Sequence, residues 1–175
     1  MLVAHGFVSL DSDAIIRTVL LADQEVIAAI RERFGGDVIA DEGRVDRGRL
    51  ARRVFADETA LHWLEDLLHP RLFAFWRASF AAETNKPWVV EVPLLFEKCL
   101  QNWFDFTVCV ASHPAVQLAR LEQRGLPPPL ARPRISMQLP LAQKIELVDF
   151  VLLNDGSPDF LREQVVKLVN LLSTH

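Results

Sequence analysis

The sequence predicts an α/β protein built around a parallel sheet. Four short runs rich in Val, Phe and Leu have the length of strands, and helical apolar spacing fills the intervals between them. The last two runs are almost continuously apolar, the pattern expected of parallel strands covered on both faces. At 175 residues the chain has enough material for one good core, so residues 1–175 read as a single domain.

Taken in order, residues 1–5 have the look of a helix end, with Gly6 as the stop. "FVSL" (7–10) is the first expected strand, and Asp11-Ser12-Asp13 puts two carboxylates at its end. Asp23 can cap a helix with Val26, Ile27, Ile30 and Phe34 on one face, ended by Gly35. Asp46 can cap a short basic helix carrying Leu50 and Val54. Asp57 can cap another, with Leu61, Leu64, Leu67 and Leu68 inward, and Pro70 suits the first turn of a following helix bearing Phe73, Trp76 and Phe80. "WVVEVPLL" (88–95) and "FTVCVA" (106–111) are the second and third strands. Ser112 with Pro114 starts a helix through Arg124; "GLPPPLARPR" (125–134) reads as an ordered but mobile loop or lid. "FVLLN" (150–154) is the last strand, and Ser157 with Pro158 opens the final helix. The helical stretch 14–84 is too long for a simple crossover and reads as an inserted subdomain beside the sheet.

Half of the residues are hydrophobic and the net charge is −4, which argues against a nonspecific nucleic-acid binder. No apolar run approaches the roughly 18–20 residues of a membrane span, and no signal-peptide pattern opens the chain. Cys99 and Cys109 are too few for a disulfide framework or a zinc site; two reduced, mostly buried thiols in a cytoplasmic protein are expected.

Ligands in open α/β sheets bind beyond the carboxyl ends of the strands, and that rule singles out the candidates. Asp11 and Asp13 can orient a hydroxyl, accept its proton, or hold a metal through water; the alternative is that Asp13 merely caps the helix from Ala14. Arg120 and Arg124 lie four apart, followed by Arg132 and Arg134. They suit a polyphosphate, although by themselves they read as a solvated basic surface. His69 stands at an expected helix junction, where a structural hydrogen-bonding role is the commoner one, and Arg47, Arg49, Arg52 and Arg53 form a largely solvated basic cluster. Glu91 and Glu97 bracket the end of the second strand, and Glu91 needs a partner if buried. No Walker A, G-x-S-x-G, H-E-x-x-H, EF-hand or G-x-G-x-x-G pattern occurs in the 175 residues.

Six segments, in order and at compatible spacing, resemble the dephospho-CoA kinase family of P-loop kinases over essentially the whole chain. They are "GFVSLDSDAIIR"; "RFGGDVIADEGRVDRGRLARRVFAD", through Phe34, Gly35, Gly43, Arg47, Leu50, Val54 and Phe55; "LEDLLHPRL"; "EVPLLFE"; "QLARLEQRG"; and "ARPRISMQLPLAQKIELVDFVLLNDGS", through Arg134, Gln138, Lys144, Asp149, Asn154 and Gly156.

The resemblance implies a three-layer parallel sheet of the P-loop kinase type, an inserted helical acceptor-binding subdomain over about 14–84, and a lid over 125–140. It implies transfer of a phosphoryl group from ATP, with Mg²⁺, to the ribose 3′-hydroxyl of dephospho-CoA, the last step of coenzyme A synthesis. Asp13 would orient and deprotonate that hydroxyl, with Asp11 nearby. Arg17, the His69-Pro70 segment, Pro93, Leu94 and Leu95 would line the acceptor site. Arg120, Arg124 and Arg134 would serve the ATP phosphates and lid, with Asn154 and Gly156 near the adenine. ATP and dephospho-CoA are the implied partners, with neither nucleic acid nor membrane among them.

The resemblance also implies a first strand and a glycine-rich loop ending in Gly-Lys-Ser/Thr. Aligning Gly6 with the family's glycine puts that region, on the order of twenty residues, upstream of Met1. The backbone cradle, the phosphate-binding Lys and the Mg²⁺-binding hydroxyl are then outside these residues, and with them most of the ground for ATP binding and turnover. The neighbours of that strand are expected to show unpaired edges and uncovered apolar faces. Two other functions stay open: a non-catalytic domain that binds a CoA-like ligand or a partner, and a P-loop kinase for another nucleotide or metabolite.

Overall fold

The computed structural model describes residues 1–173 and is of the α/β type. Its four strands form two parallel pairs, each in its own compact unit. The amino-terminal unit is Gly6–Val92; the carboxy-terminal unit combines Met1–His5 with Pro93–His175.

In the amino-terminal unit, β1 (Val8–Asp11) pairs in parallel with β2 (Trp88–Glu91), placing Asp11 opposite Glu91 at the carboxyl ends. The helices between them are α1 (Ser12–Thr18), α2 (Gln24–Phe34), α3 (Arg47–Val54) and α4 (Glu58–Ala82). Asp23, Asp46 and Asp57 cap α2, α3 and α4 by accepting backbone N–H groups of the first turns, as their sequence positions indicate. Gly35 stops α2 at φ +89°, a conformation that a side chain disfavours. Val26, Ile30, Val38 and Trp76 are the most deeply buried large side chains, with Leu50, Leu68 and Leu72 beside them in the core of this unit.

Pro70 does not begin a new helix. It lies inside α4, a single helix of 25 residues. The apolar positions Leu68, Leu72 and Trp76 recur at i, i+4 and i+8, so one continuous buried stripe carries the helix through the proline. Pro70 cannot donate to the carbonyl one turn back. Next to that gap, Arg71 Nη1 donates to the Leu67 carbonyl at 2.9 Å.

In the carboxy-terminal unit, β3 (Val108–Ala111) pairs in parallel with β4 (Phe150–Leu153). Between and after them come α5 (Pro114–Gln123), α6 (Pro128–Ser136), α7 (Leu141–Leu147) and α8 (Pro158–Leu172). Leu152, Val165 and Leu168 form a core against which Leu2, Phe150 and Leu161 pack. Residues Leu2–His5 form a 3-10 turn, and Gly6 at φ +89° ends it.

Several expectations are corrected. The second strand stops at Glu91, because Pro93 has no N–H for a ladder; residues 93–99 are turns. The proline-rich segment is mostly helical: Pro128 and Pro129 occupy the first turn of α6, where a missing N–H costs nothing. The helix α7 lacked a sequence cap, and none of its residues is fully buried. The N-cap of α5 is His113, whose Nδ1 accepts from Ala115 N–H at 3.3 Å, rather than Ser112. β3 is covered on one face only: Ala111 is buried, whereas Val108 and Val110 are exposed. Cys99 is exposed and Cys109 half-buried, both as free thiols; Cys99 sits at φ +53° in the turn after Leu95. Among the described residues, no helix is long and apolar enough to cross a membrane.

Candidate functional site

The end of β1 answers the question of which aspartate is a cap. Asp11 has extended backbone angles and its Oδ1 accepts the Ala14 N–H at 2.8 Å, so Asp11 is the N-cap of α1. Asp13 is therefore not the cap. It stands in the first turn of α1, one helical turn before Arg17. Local desolvation of its carboxyl, and then the charge of Asp11, raise the Asp13 pKa above its ordinary value, while Arg17 pulls it back. Glu91, which lies across the register from Asp11, is exposed and needs no buried partner. Its place at this strand end was hidden in the sequence because the two strands are far apart along the chain.

Arg17 also faces a cavity of about 630 Å³, within the size range of small-molecule sites. The turn after Val38 also lines it. Ile39 and Val45 bridge antiparallel, Ala40 N–H donates to the Arg44 carbonyl at 2.8 Å, and Gly43 takes φ +74° to close the turn. That turn places Arg44, and the cap at Asp46 starts α3 at Arg47, so both residues line the same cavity as Arg17. From the residues alone Arg47 read as part of a largely solvated basic cluster, and the resemblance matched it to the family pattern without giving it a role; the Asp46 cap beside it is the signal that fixes its place. His69 lies within α4 and stacks on Phe73, centroids 5.8 Å apart.

The carboxy-terminal unit gathers a second set of residues at the ends of β3 and β4. The Ser112 hydroxyl donates to the Asn154 carbonyl at 3.1 Å and accepts from Arg120 Nη1 at 3.2 Å. Asn154 N–H donates to the Ala111 carbonyl at 2.8 Å, and His113 N–H to Asp155 Oδ1 at 2.7 Å. Arg120 and Asn154 are thus joined through Ser112, a link the sequence reading missed. Gly156 has no room for a side chain: a Cβ there would lie 2.9 Å from the Phe160 ring. Arg124 lies just past the end of α5, and Arg134 is exposed in the last turn of α6. Neither guanidinium has a partner among the described residues. Pro93, Leu94 and Leu95 open the turn after β2, where the Leu94 and Leu95 carbonyls accept from Lys98 and Leu100 N–H.

Glu97, at the end of the same turn, is an anchor. Its Oε1 accepts from Lys144 Nζ at 2.9 Å and from Leu139 N–H at 2.8 Å, with both charged side chains 16% exposed. Burial pushes the Glu97 pKa up, but the Lys144 hydrogen bond and the backbone donors outweigh it and hold the carboxyl below its ordinary range. Asp149 is likewise lowered by Thr107, whose N–H and hydroxyl donate to Oδ2 at 2.7 and 2.8 Å. Among the described residues, no three His, Cys, Asp or Glu side chains gather as a metal site.

The family model for dephospho-CoA kinase matches residues 1–159. The chain belongs to the dephospho-CoA kinase family. It is therefore a kinase, a transferase, by family. A dephospho-CoA kinase of Thermosynechococcus vestitus is 36% identical over 169 residues, which cover 96% of this chain and 83% of the relative. Among solved structures, TT1252 from Thermus thermophilus matches with a TM-score of 0.84 at 27% identity, covering 98% of this chain and 87% of its own. Dephospho-CoA kinase from Campylobacter jejuni matches with a TM-score of 0.69 at 25% identity, again over 98% of this chain and 87% of its own.

Proposed function

We propose that this kinase transfers the γ-phosphoryl group of MgATP to the ribose 3′-hydroxyl of dephospho-CoA, giving coenzyme A and ADP. The observation that carries the reading is the division of labour at the end of β1. Asp11 is spent on the α1 cap, which leaves Asp13 free beside Arg17 with a raised pKa. Asp13 orients the hydroxyl and accepts its proton; a carboxylate moved toward the working pH suits that task. Arg17, His69 and the turn Pro93, Leu94 and Leu95 line the acceptor. Phosphoryl transfer is mostly a matter of positioning and charge neutralisation, so Arg120, Arg124 and Arg134 contribute by neutralising the nucleotide phosphates. Asn154 and Gly156 receive the adenine, and residues 125–140 act as a lid that excludes competing water. Mg²⁺ arrives as part of the nucleotide substrate.

The same proposal includes the P-loop kinase form of the sheet, with a first strand and glycine-rich loop that the 175 residues do not supply. The uncovered side of β3 at Val108 and Val110 supports this reading. The test compares two proteins, the 175-residue chain and the same chain preceded by the amino-terminal segment of the Thermosynechococcus vestitus relative. Both are assayed with ATP against dephospho-CoA and a panel of nucleosides and nucleotides. Both are expected to bind dephospho-CoA, and the extended protein to phosphorylate it preferentially. In that protein Asp13→Asn should lower turnover about 10²–10⁴-fold. Faster transfer to another acceptor, or an undiminished Asp13→Asn rate, overturns the proposal. Acceptor binding without turnover in both proteins favours instead a ligand-binding domain without transfer activity.

A further inference from the structure

Resting on that reading, we propose that the cavity lined by Arg17, Arg44 and Arg47 is an anion site for the diphosphate of the acceptor.

The cavity's charge is not balanced by its own walls. Arg44 pairs with Glu42, and Asp41 supplies one more carboxylate. Arg47 has no hydrogen-bond or ion-pair partner among the described residues, and Arg17 acts on its surroundings only through its influence on Asp13. Arg17 and Arg47 therefore line the cavity as exposed side chains whose planar donor forks have no hydrogen-bond partner among the described residues, and such forks can take phosphate oxygens two at a time. The frame behind them is fixed: Gly43 closes the 39–45 turn, Asp46 N–H donates to the Val38 carbonyl at 2.8 Å, and Asp46 caps α3 through Arg49 N–H at 2.9 Å. Val38 and Leu50 anchor that frame in the core.

The spacing identifies the anion. Asp13 and Arg17 are four residues apart on α1, so the cavity opens about 6 Å along the helix from the carboxylate assigned to the reacting hydroxyl. An acceptor whose ribose hydroxyl meets Asp13 brings its 5′-phosphates to that distance. A diphosphate ester places two negatively charged groups against two unpaired guanidinium groups. A neutral nucleoside leaves both unmatched.

Calorimetric titration tests this with three probes: dephospho-CoA, adenosine and inorganic pyrophosphate. Arg47→Met and Arg17→Met are each expected to weaken dephospho-CoA and pyrophosphate about tenfold or more, leave adenosine unchanged, and flatten the salt dependence. Arg47→Lys should recover part of the affinity, since it keeps the charge without the fork. Arg52→Met removes the same charge outside this cavity and is expected to change nothing, with thermal unfolding checked for every variant. Unchanged pyrophosphate affinity in Arg47→Met, or an equal loss in Arg52→Met, overturns the anion site. Failure of the wild-type chain to bind dephospho-CoA, with pyrophosphate binding still sensitive to Arg47, overturns the acceptor assignment instead and leaves the anion site standing.

Discussion

At the end of β1 a two-residue step separates the N-cap of α1 from the carboxylate proposed as the base. Asp11 and Asp13 are identical side chains, yet only Asp11 has the extended backbone of an N-cap, and its Oδ1 meets the Ala14 N–H. Asp11→Asn keeps that cap, because asparagine caps as well as aspartate, so α1 should keep its start and the fold should not be weakened. It does remove the charge that helps raise the Asp13 pKa. The acid limb of the kcat/KM–pH profile, set by the base, is therefore expected to shift to lower pH in Asp11→Asn. An unshifted limb with intact stability would show that Asp13 is not the titrating base. The chain shows the D-x-D spacing but not which member is the cap, because that depends on where the strand twists into the helix.

At the scale of elements, the turn after β2 reaches the segment between α6 and α7 through one carboxylate. Glu97 holds Lys144 Nζ and Leu139 N–H, and Lys144 also donates to Gln138 Oε1 at 3.3 Å. Glu97→Gln leaves the ammonium half-stranded in a mostly buried place, and a loss of about 1–3 kcal/mol is expected. Lys144→Met should cost a similar amount, and the double variant less than the sum of the two. Urea unfolding measures the cycle, and faster exchange at the Leu139 amide locates it; strict additivity would mean that the pair is not coupled. The capped helices α2, α3, α4 and α8 were legible because an Asp or Ser stands just before an apolar stripe. The continuity of α4 through Pro70 was not, because Leu72 and Trp76 packing overrides the local preference of proline to begin a helix. The Glu97–Lys144 and Thr107–Asp149 links were illegible for a different reason: 47 and 42 positions separate the partners, and no local pattern records them.

At the scale of the whole molecule, the carboxylates divide by sign. Asp37 is lowered by the Arg53 hydrogen bond, Asp46 by Arg49 N–H, Asp149 by Thr107, and Glu97 lies below its ordinary value on balance. Among the described residues, Asp13 alone of the shifted carboxylates is raised. A lowered carboxylate stabilises the folded chain at every pH above its unfolded value, and that contribution disappears as pH falls through the folded value. The ordinary values are 3.8 for aspartate and 4.5 for glutamate, so the unfolding midpoint should stay level from neutral pH until that region and then decline. Asp13 works in the opposite sense: its raised pKa favours the protonated fold, so its charge costs stability at neutral pH and nothing well below 3.8. Two variants separate these effects. Asp149→Asn is expected to be less stable than wild type at pH 7, with the difference closing toward pH 3. Asp13→Asn is expected to be more stable at pH 7, with that difference closing over the same interval, even as it loses turnover. Urea midpoints for the three proteins across pH 3–7 decide the matter. Gaps that stay constant with pH would mean that neither carboxylate titrates differently in the folded and unfolded chains. A gain for Asp13→Asn confined to neutral pH would show that the carboxylate assigned to catalysis is held charged there at the expense of the fold.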